Sequence, residues 1–251
     1  MVDIHSHILP GLDDGAQTLV DSLEILRLAA EHGTTDIVAT PHANPRYTFD
    51  SEVVQKSLEN LRGAVNGGPR IHYGCELHLT PENIEDAMRQ PSRYTIGQRG
   101  YLLVEFSNQL VPKTSGEILR RLAQAGARPV IAHPERNPLL RQRMAELEQW
   151  VRQGCVLQIT AQSLLGGFGE SAQVAARTMV TQGLAQCIAS DAHNCKNRPP
   201  ALDEAYRQVA DWCGARMAQQ LFEENPRAIL NGTPLPAGPM RSEKKPWYRF
   251  W

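Results

Sequence analysis

The sequence predicts an α/β fold in which parallel strands and helices alternate to form a closed or nearly closed (β/α) barrel. Three observations predict it. Seven short, almost continuously apolar runs recur along the chain. Helix-period segments lie between them. Several of those segments end in a glycine just ahead of the next apolar run. Strands buried on both faces are nearly continuous in apolar character. Regular alternation with helices makes βα units of a parallel sheet. Seven such units in about 230 residues suit a barrel; an open doubly wound sheet is the alternative arrangement.

The expected strands are Val2–His5, Asp36–Thr40, Arg70–Glu76, Tyr101–Phe106, Pro129–His133, Cys155–Thr160 and Ala185–Asp191. The first helix is expected over Thr18–His32, with apolar residues at Leu19, Leu23, Leu26 and Ala30. Thr18 with Asp21 resembles a capping box and Gly33 is placed as a stop. Further helices are expected over Ser51–Val65, Pro81–Arg89, Ser115–Gln124, Arg141–Gln153, Glu170–Gln182 and Pro200–Leu221, with Pro81 and Pro200 suited to first turns. Residues 1–232 form the expected domain. Residues 233–251 read as a Pro/Gly linker and a tail, RSEKKPWYRFW, that mixes four basic and four aromatic side chains.

Composition narrows the function. The 251 residues carry a formal net charge of −1, so no basic field announces a nucleic-acid partner and anion recognition must be local. Five cysteines without a C-x-x-C pair argue against a disulfide framework and for a reducing compartment. No run of about 18 apolar residues and no secretory leader pattern occur, so a cytoplasmic location is expected. The tail's aromatic and basic residues suit contact with a membrane interface or a partner, or simple self-packing. Oligomeric state is left open.

The acidic and histidine residues fall at the C-terminal ends of the expected strands. His5 ends the first and His7 follows it. His42 comes just after the second. Glu76 ends the third, Glu105 nearly ends the fourth and His133 ends the fifth. Asp191 ends the seventh, with His193 two residues on; only the sixth, at Thr160, ends without such a group. In a barrel these ends converge on one face, where active sites are built. Nine candidate ligands therefore meet there: His5, His7, Asp14, His42, Glu76, Glu105, His133, Asp191 and His193. Carboxylates crowded together repel one another unless cations lie among them. Nine ligands exceed the needs of one ion, so two or three are expected. Nitrogen and oxygen donors without thiolate suit Mn²⁺, Fe or Zn²⁺.

Arg136, three residues after His133, and Arg198, five after His193, belong in loops of the same face. A guanidinium fork matches phosphate bidentately. Arg46 is a weaker third candidate. His32 suits a helix C-terminus, His72 lies mid-strand as a structural residue, and His78 belongs near the rim. A thiolate phosphatase would need C-x₅-R, and none of the five cysteines has arginine six positions on. Cys195 is read as incidental.

The segments VDIHSH…DDG, ATPH, GCE, VEFS, IAHPER and ASDAHN…RPP resemble the polymerase-and-histidinol-phosphatase (PHP) superfamily. Within it they are most similar to the bacterial capsule and exopolysaccharide protein-tyrosine phosphatases of the CpsB/CapC/YwqE type. The resemblance spans about residues 1–232 with no departure inside the motifs. It implies a distorted (β/α)7 barrel, a trinuclear and typically manganese-dependent centre, and the nine ligands above. It selects Asp14 over Asp13, which is left to shape the turn with Gly15. It implies Arg136 and Arg198 as the phosphate-binding catalytic residues. It further implies hydrolysis of phosphotyrosine on the tyrosine kinase of polysaccharide co-polymerisation. Two other readings stay open: a small-molecule phosphatase similar to histidinol phosphatases, and a non-catalytic metal-binding module.

Overall fold

The computed structural model describes residues 1–235. The expected tail therefore lies, from residue 236 on, outside the described residues. Strands β1 (Val2–Ser6), β2 (Asp36–Ala39), β3 (His42–Ala43), β4 (Arg70–Tyr73), β5 (Glu76–His78), β6 (Tyr101–Glu105), β7 (Arg128–Ala132), β8 (Val156–Thr160) and β9 (Cys187–Ala189) are all parallel to their neighbours. They pair as β1-β2-β4 and as β3-β5-β6-β7-β8-β9. A parallel bridge between Ser6 and Ala192, with bonds Asp191 N–H to His5 O (2.9 Å) and His7 N–H to Ala192 O (2.8 Å), joins β1 to the end of β9. The result is the distorted barrel, made of two sheets rather than one continuous ladder.

The distortion has a local cause. The third expected strand is broken in two, and the second ends at Ala39, with a further short strand, β3, beyond its expected limit at Thr40. Thr40-Pro41 separates β2 from β3, and a proline has no N–H to give a ladder. Gly74-Cys75 separates β4 from β5. At Gly74 a Cβ would sit 2.7 Å from Val38 Cγ1, so the two strand lines press together where they bend. Past the break, His42 and Glu76 face each other in register.

The helices are α1 (Leu19–Glu31), α2 (Ser51–Ala64), α3 (Pro81–Arg89), α4 (Ser115–Gln124), α5 (Met144–Arg152), α6 (Ala161–Leu164), α7 (Glu170–Thr181), α8 (Asp203–Cys213), α9 (Ala215–Gln219) and α10 (Asn225–Asn231). The capping box forms: Asp21 N–H donates to Thr18 Oγ1 and Thr18 N–H to Asp21 Oδ2. Asp50 and Thr80 cap α2 and α3. Two expectations need correction. The helix expected from Arg141 begins at Met144, after a 3₁₀ turn over Leu140–Gln142. The helix expected over Pro200–Leu221 begins at Asp203 and breaks at Gly214, whose φ of 88° lies outside the helical region. A π turn over Gln220–Glu224 then leads into α10.

Leucine, isoleucine and alanine faces of the helices pack on the sheets in one large core. A second cluster joins Val2, Ile4, Val38, Leu103, Val130 and Val156 of five strands to Ile229 and Leu230 of α10.

Candidate metal centre

Strand ends and the turns that follow them deliver the candidate ligands. β1 supplies His5 and, one step past its end, His7. The following turn brings Asp13 and Asp14 back over β1, and it passes so close that a Cβ at Gly15 would lie 2.0 Å from His7 O. β3 supplies His42, β5 Glu76 and β6 Glu105. His133 and Asp191 follow β7 and β9 with φ of 32° and 53°. Left-handed backbone at a non-glycine residue is costly and is kept where the surroundings demand it. Here it aims both side chains inward.

All nine candidates fall into four overlapping groups. These are His7, Asp14, His42 and His193; His5, His7 and Glu76; His5, His133 and Asp191; and His42, Glu76 and Glu105. Distances within the cluster test whether ions fit. His5 Nε2 lies 3.2 Å from His7 Nε2, 3.2 Å from Glu76 Oε2 and 3.3 Å from Asp191 Oδ1. His7 Nε2 lies 3.3 Å from Glu76 Oε2 and 3.4 Å from Asp191 Oδ1. Donors held ~2.0–2.1 Å from one tetrahedral ion stand ~3.3–3.4 Å apart, which the His5, His7 and Glu76 separations match. Glu76 Oε2 and Asp191 Oδ1 are buried and have no hydrogen-bond partner. Unpaired buried carboxylate oxygens are expensive, and a shared cation is the partner that suits them.

The cluster extends to both sides. His42 turns Nδ1 to Glu76 Oε2 at 3.0 Å and Nε2 to Asp14 Oδ1 at 3.4 Å. Asp14 Oδ1 is also 3.4 Å from His193 Nε2, a further buried atom without a hydrogen-bond partner. On the opposite side His133 Nε2 lies 2.9 Å from Glu76 Oε1 and 4.0 Å from Glu105 Oε1. Glu76 therefore sits at the middle, with one oxygen toward each flank.

Other side chains fix the ligands' orientation, a role that controls both tautomer and basicity. His7 Nδ1 lies 2.6 Å from Asp13 Oδ2, while Asp13 accepts from Gly15 N–H (2.9 Å) and His42 N–H (3.1 Å). Asp13 does shape the turn, as expected, but it also clamps His7. His5 Nδ1 lies 2.9 Å from Gln158 Oε1 of β8, a strand that brings no ligand. Asp3 accepts from Ser190 N–H and Oγ–H, tying β1 to β9. Glu135, buried between His133 and Arg136, accepts from Thr160 N–H (3.0 Å) and Ser163 Oγ–H (2.7 Å). The sequence reading missed Gln158, Asp3 and Glu135. For Gln158 and Asp3 the available signal was a polar residue inside an apolar strand run; Glu135, in the turn past β7, carried no such signal.

The charges are strongly coupled. Burial opposes ionisation of Glu76 and Asp191, yet the facing imidazoles outweigh it and hold both well below the usual carboxylate range. The facing imidazoles of His193 and His42 hold the Asp14 carboxyl well below the usual range. Burial likewise opposes charge on His42, but Glu76 and Asp14 raise it to about 10. His5 and His7 are raised by Glu76, Asp191 and Asp13 against burial. Burial and the neighbouring His7 instead lower His193.

Arg136 and Arg198 reach the same place. Each donates an Nη–H to Asp191 Oδ2, while Asp191 Oδ1 faces His5 and His7. Arg198 Nε is buried and has no partner. Both guanidinium carbons stand over the Phe168 ring, at 4.2 and 5.8 Å from its centroid. Of the weaker candidates, His78 bonds Glu105 at 3.1 Å on the rim, and Arg46 stacks on Tyr47 instead of entering the cluster. His72 pairs with Asp36 at 2.9 Å, as a structural residue would. His32 follows α1 and bonds Asp203 of α8 at 2.6 Å. Burial pushes the thiols of Cys75, Cys187, Cys195 and Cys213 up, and that of Cys155 to about 12. No cysteine here is poised as a thiolate nucleophile.

Residues 1–231 match the family described as capsular polysaccharide synthesis, CpsB/CapC. The chain is 35% identical to CapC of Staphylococcus aureus, with 92% of this chain and 89% of that protein covered. It is 31% identical over the full length of both chains to the tyrosine-protein phosphatase YwqE of Bacillus subtilis. A solved structure, from a study of Bacillus subtilis YwqE and Streptococcus pneumoniae CpsB as metal-dependent tyrosine phosphatases, superposes with a TM-score of 0.86 at 31% identity. It covers 95% of this chain and 100% of its own.

Proposed function

This chain belongs to the CpsB/CapC family of capsular polysaccharide synthesis, and from that premise we propose that it is a metal-dependent protein-tyrosine phosphatase. The observation that carries the reading is the convergence of nine candidate ligands and two arginines on one buried carboxylate system, centred on Glu76 and Asp191. We assign His5, His7, Asp14, His42, Glu76, Glu105, His133, Asp191 and His193 to two or three divalent ions. Manganese is the ion proposed, because carboxylate and imidazole donors without thiolate favour it over softer metals.

Divalent ions in such a site supply Lewis-acid stabilisation of phosphoryl charge and a water that ionises near neutral pH. The chain's own groups do the rest. Arg136 and Arg198 are permanently cationic and carry five N–H donors each. Asp191 takes one from each, which turns both forks toward the cluster and leaves donors for the non-bridging phosphate oxygens. That charge stabilisation is greatest as the phosphoryl group loosens. Asp13 and Gln158 hold the His7 and His5 rings so that Nε2 faces the centre. A tyrosine leaving group, with a phenol pKa of about 10, departs more readily than a serine alkoxide. The site therefore depends on charge stabilisation more than on a strong acid.

The substrate we assign is the phosphorylated tyrosine of the kinase that regulates capsule or exopolysaccharide synthesis, met on the cytoplasmic side. No helix among the described residues is long and apolar enough to cross a membrane. The test sets the manganese-loaded protein competitively against a phosphotyrosine peptide and histidinol phosphate. Faster turnover of the peptide is expected; a strong preference for histidinol phosphate contradicts the assignment.

A further inference from the structure

Phe168 is a phenylalanine without a core. Phe49, Phe106 and Phe222 all lie in the large hydrophobic cluster, whereas Phe168 packs with neither cluster. It is carried on GGFG, between α6 and α7, beyond β8, which brings no ligand. The loop is firmly built. Gly166 and Gly169 have φ of 87° and 85°, which a side chain would resist. Gly167 N–H bonds Gln162 O at 2.9 Å and Gly169 N–H bonds Gly166 O at 3.0 Å. These turns lift the half-buried Phe168 ring out of the helical layer and set it beside Arg136 and Arg198.

The ring also closes a cavity. About 180 Å³ of space is lined by Glu105, Asn108, His133, Arg136, Phe168 and Ala172. Two of these residues are candidate ligands and one is a candidate phosphate-binding arginine, so the cavity opens directly onto the centre. A cavity of about 150 Å³ suffices for benzene. An apolar ring at the edge of an otherwise polar site needs a reason, since water covers it poorly. Stacked arginines satisfy one side of it; the cavity leaves another side for a second apolar group.

We propose that Phe168 is the apolar wall of a subsite for the aromatic ring of an aryl phosphate, next to the arginines that hold its phosphate. The inference rests on the phosphatase reading above and adds how tyrosine is selected: the wall rewards a ring and offers nothing to a short alkyl chain. Ring–ring contact with Phe168 in an offset or edge-on arrangement supplies the preference.

The experiment measures binding of benzylphosphonate and methylphosphonate, which cannot be hydrolysed, to the metal-loaded full-length protein by calorimetry. Metal content is checked in every variant. The wild type is expected to prefer the benzyl compound by about tenfold. Phe168→Ala should remove most of that preference and leave methylphosphonate within about twofold; Phe168→Leu should retain part of it. Equal weakening of both compounds by Phe168→Ala would mean that the ring only seats the arginines, and overturns the subsite. So does an unchanged preference. A Phe168-dependent preference in a wild-type protein that releases no phosphate from phosphotyrosine peptide supports the subsite and overturns the phosphatase reading instead.

Discussion

The two ends of the barrel carry charged clusters of similar composition and opposite character. At the N-terminal ends of the strands, Asp36 is buried at 1% exposure and fully partnered. Its Oδ1 accepts from Arg70 Nε (2.8 Å) and pairs with His72 Nε2 (2.9 Å). Its Oδ2 accepts from Arg70 Nη2 (2.9 Å), Arg227 Nη1 (2.6 Å) and Thr35 Oγ1 (2.9 Å). At the C-terminal ends, Glu76 and Asp191 are as buried, yet each keeps an oxygen that no hydrogen bond reaches. One carboxylate is satisfied by fixed side chains that tie β2, β4 and α10 together. The others wait on something the chain itself does not provide. Size alone would mislead: the cavity beside Asp36 is about 420 Å³, against about 180 Å³ beside the proposed centre. Unmet coordination, not volume, separates a site from a structural ion network.

Substitutions at the two ends should therefore fail in different ways. The largest effect is expected from Glu76→Gln. Its two oxygens face both flanks of the cluster, so metal content and turnover should fall together, with kcat/KM down by about 10³-fold. Normal activity with depleted metal would break the link between the two. Arg136→Ala should leave metal content intact and cut kcat/KM on phosphotyrosine by about 10²-fold; a change within twofold would remove its assigned role. Asp13→Ala should weaken metal affinity by about 10- to 100-fold, through the freed His7 ring, as measured by titration of the metal-depleted protein.

Asp36→Ala is the contrasting case. With Arg70 and Arg227 partly solvent-screened, a loss of about 2 kcal/mol in unfolding free energy is expected, with kcat/KM within twofold. Loss of activity without loss of stability would contradict the division of labour. The smallest effect is the pH dependence. Asp36 is held low by Arg70, His72 and Arg227 against burial, so its stabilisation is present above the ordinary carboxylate range and lost as pH falls through the lowered pKa. His42, raised to about 10, behaves oppositely in metal-depleted protein: its contribution is present below about 6.5 and lost as pH rises through about 10. Metal must displace that proton, so apparent affinity should climb with pH up to about 10 and uptake should release protons. A flat affinity between pH 6 and 9 would be inconsistent with His42 as a ligand.

The same contrast explains what could be read before the structure. Strand-terminal position alone separated His72, mid-strand, from His42 and His133, because side chains past the C-terminal end of a barrel strand share one face. The break at Gly74-Cys75 was not legible, since the expected strand runs through it to Glu76; its cause is a contact between neighbouring strands, at Gly74 and Val38. Pro41 does mark the end of the second strand, but nothing local signals that pairing resumes at His42. The clamp of Asp13 on His7 has no sequence signature, because a DD pair shows nothing of which carboxylate meets the imidazole. Gln158 and Asp3 act through residues more than 150 positions away, at His5 and Ser190, a pairing no local pattern contains. Phe168 passed unnoticed because a single aromatic in a glycine-rich loop carries no periodicity. The helix break at Gly214 was signalled by the glycine itself, which the amphipathic pattern on either side obscured.

The buried cluster around Glu76 and Asp191 is proposed as a multinuclear metal centre. The direct measurement is elemental analysis of protein purified without a histidine tag, wild type alongside Glu76→Gln and Asp36→Ala. Two or three equivalents of divalent metal in wild type and Asp36→Ala, with strong depletion in Glu76→Gln, is the predicted result. Less than one equivalent in the wild type after incubation with manganese, or equal metal in Glu76→Gln, would contradict it.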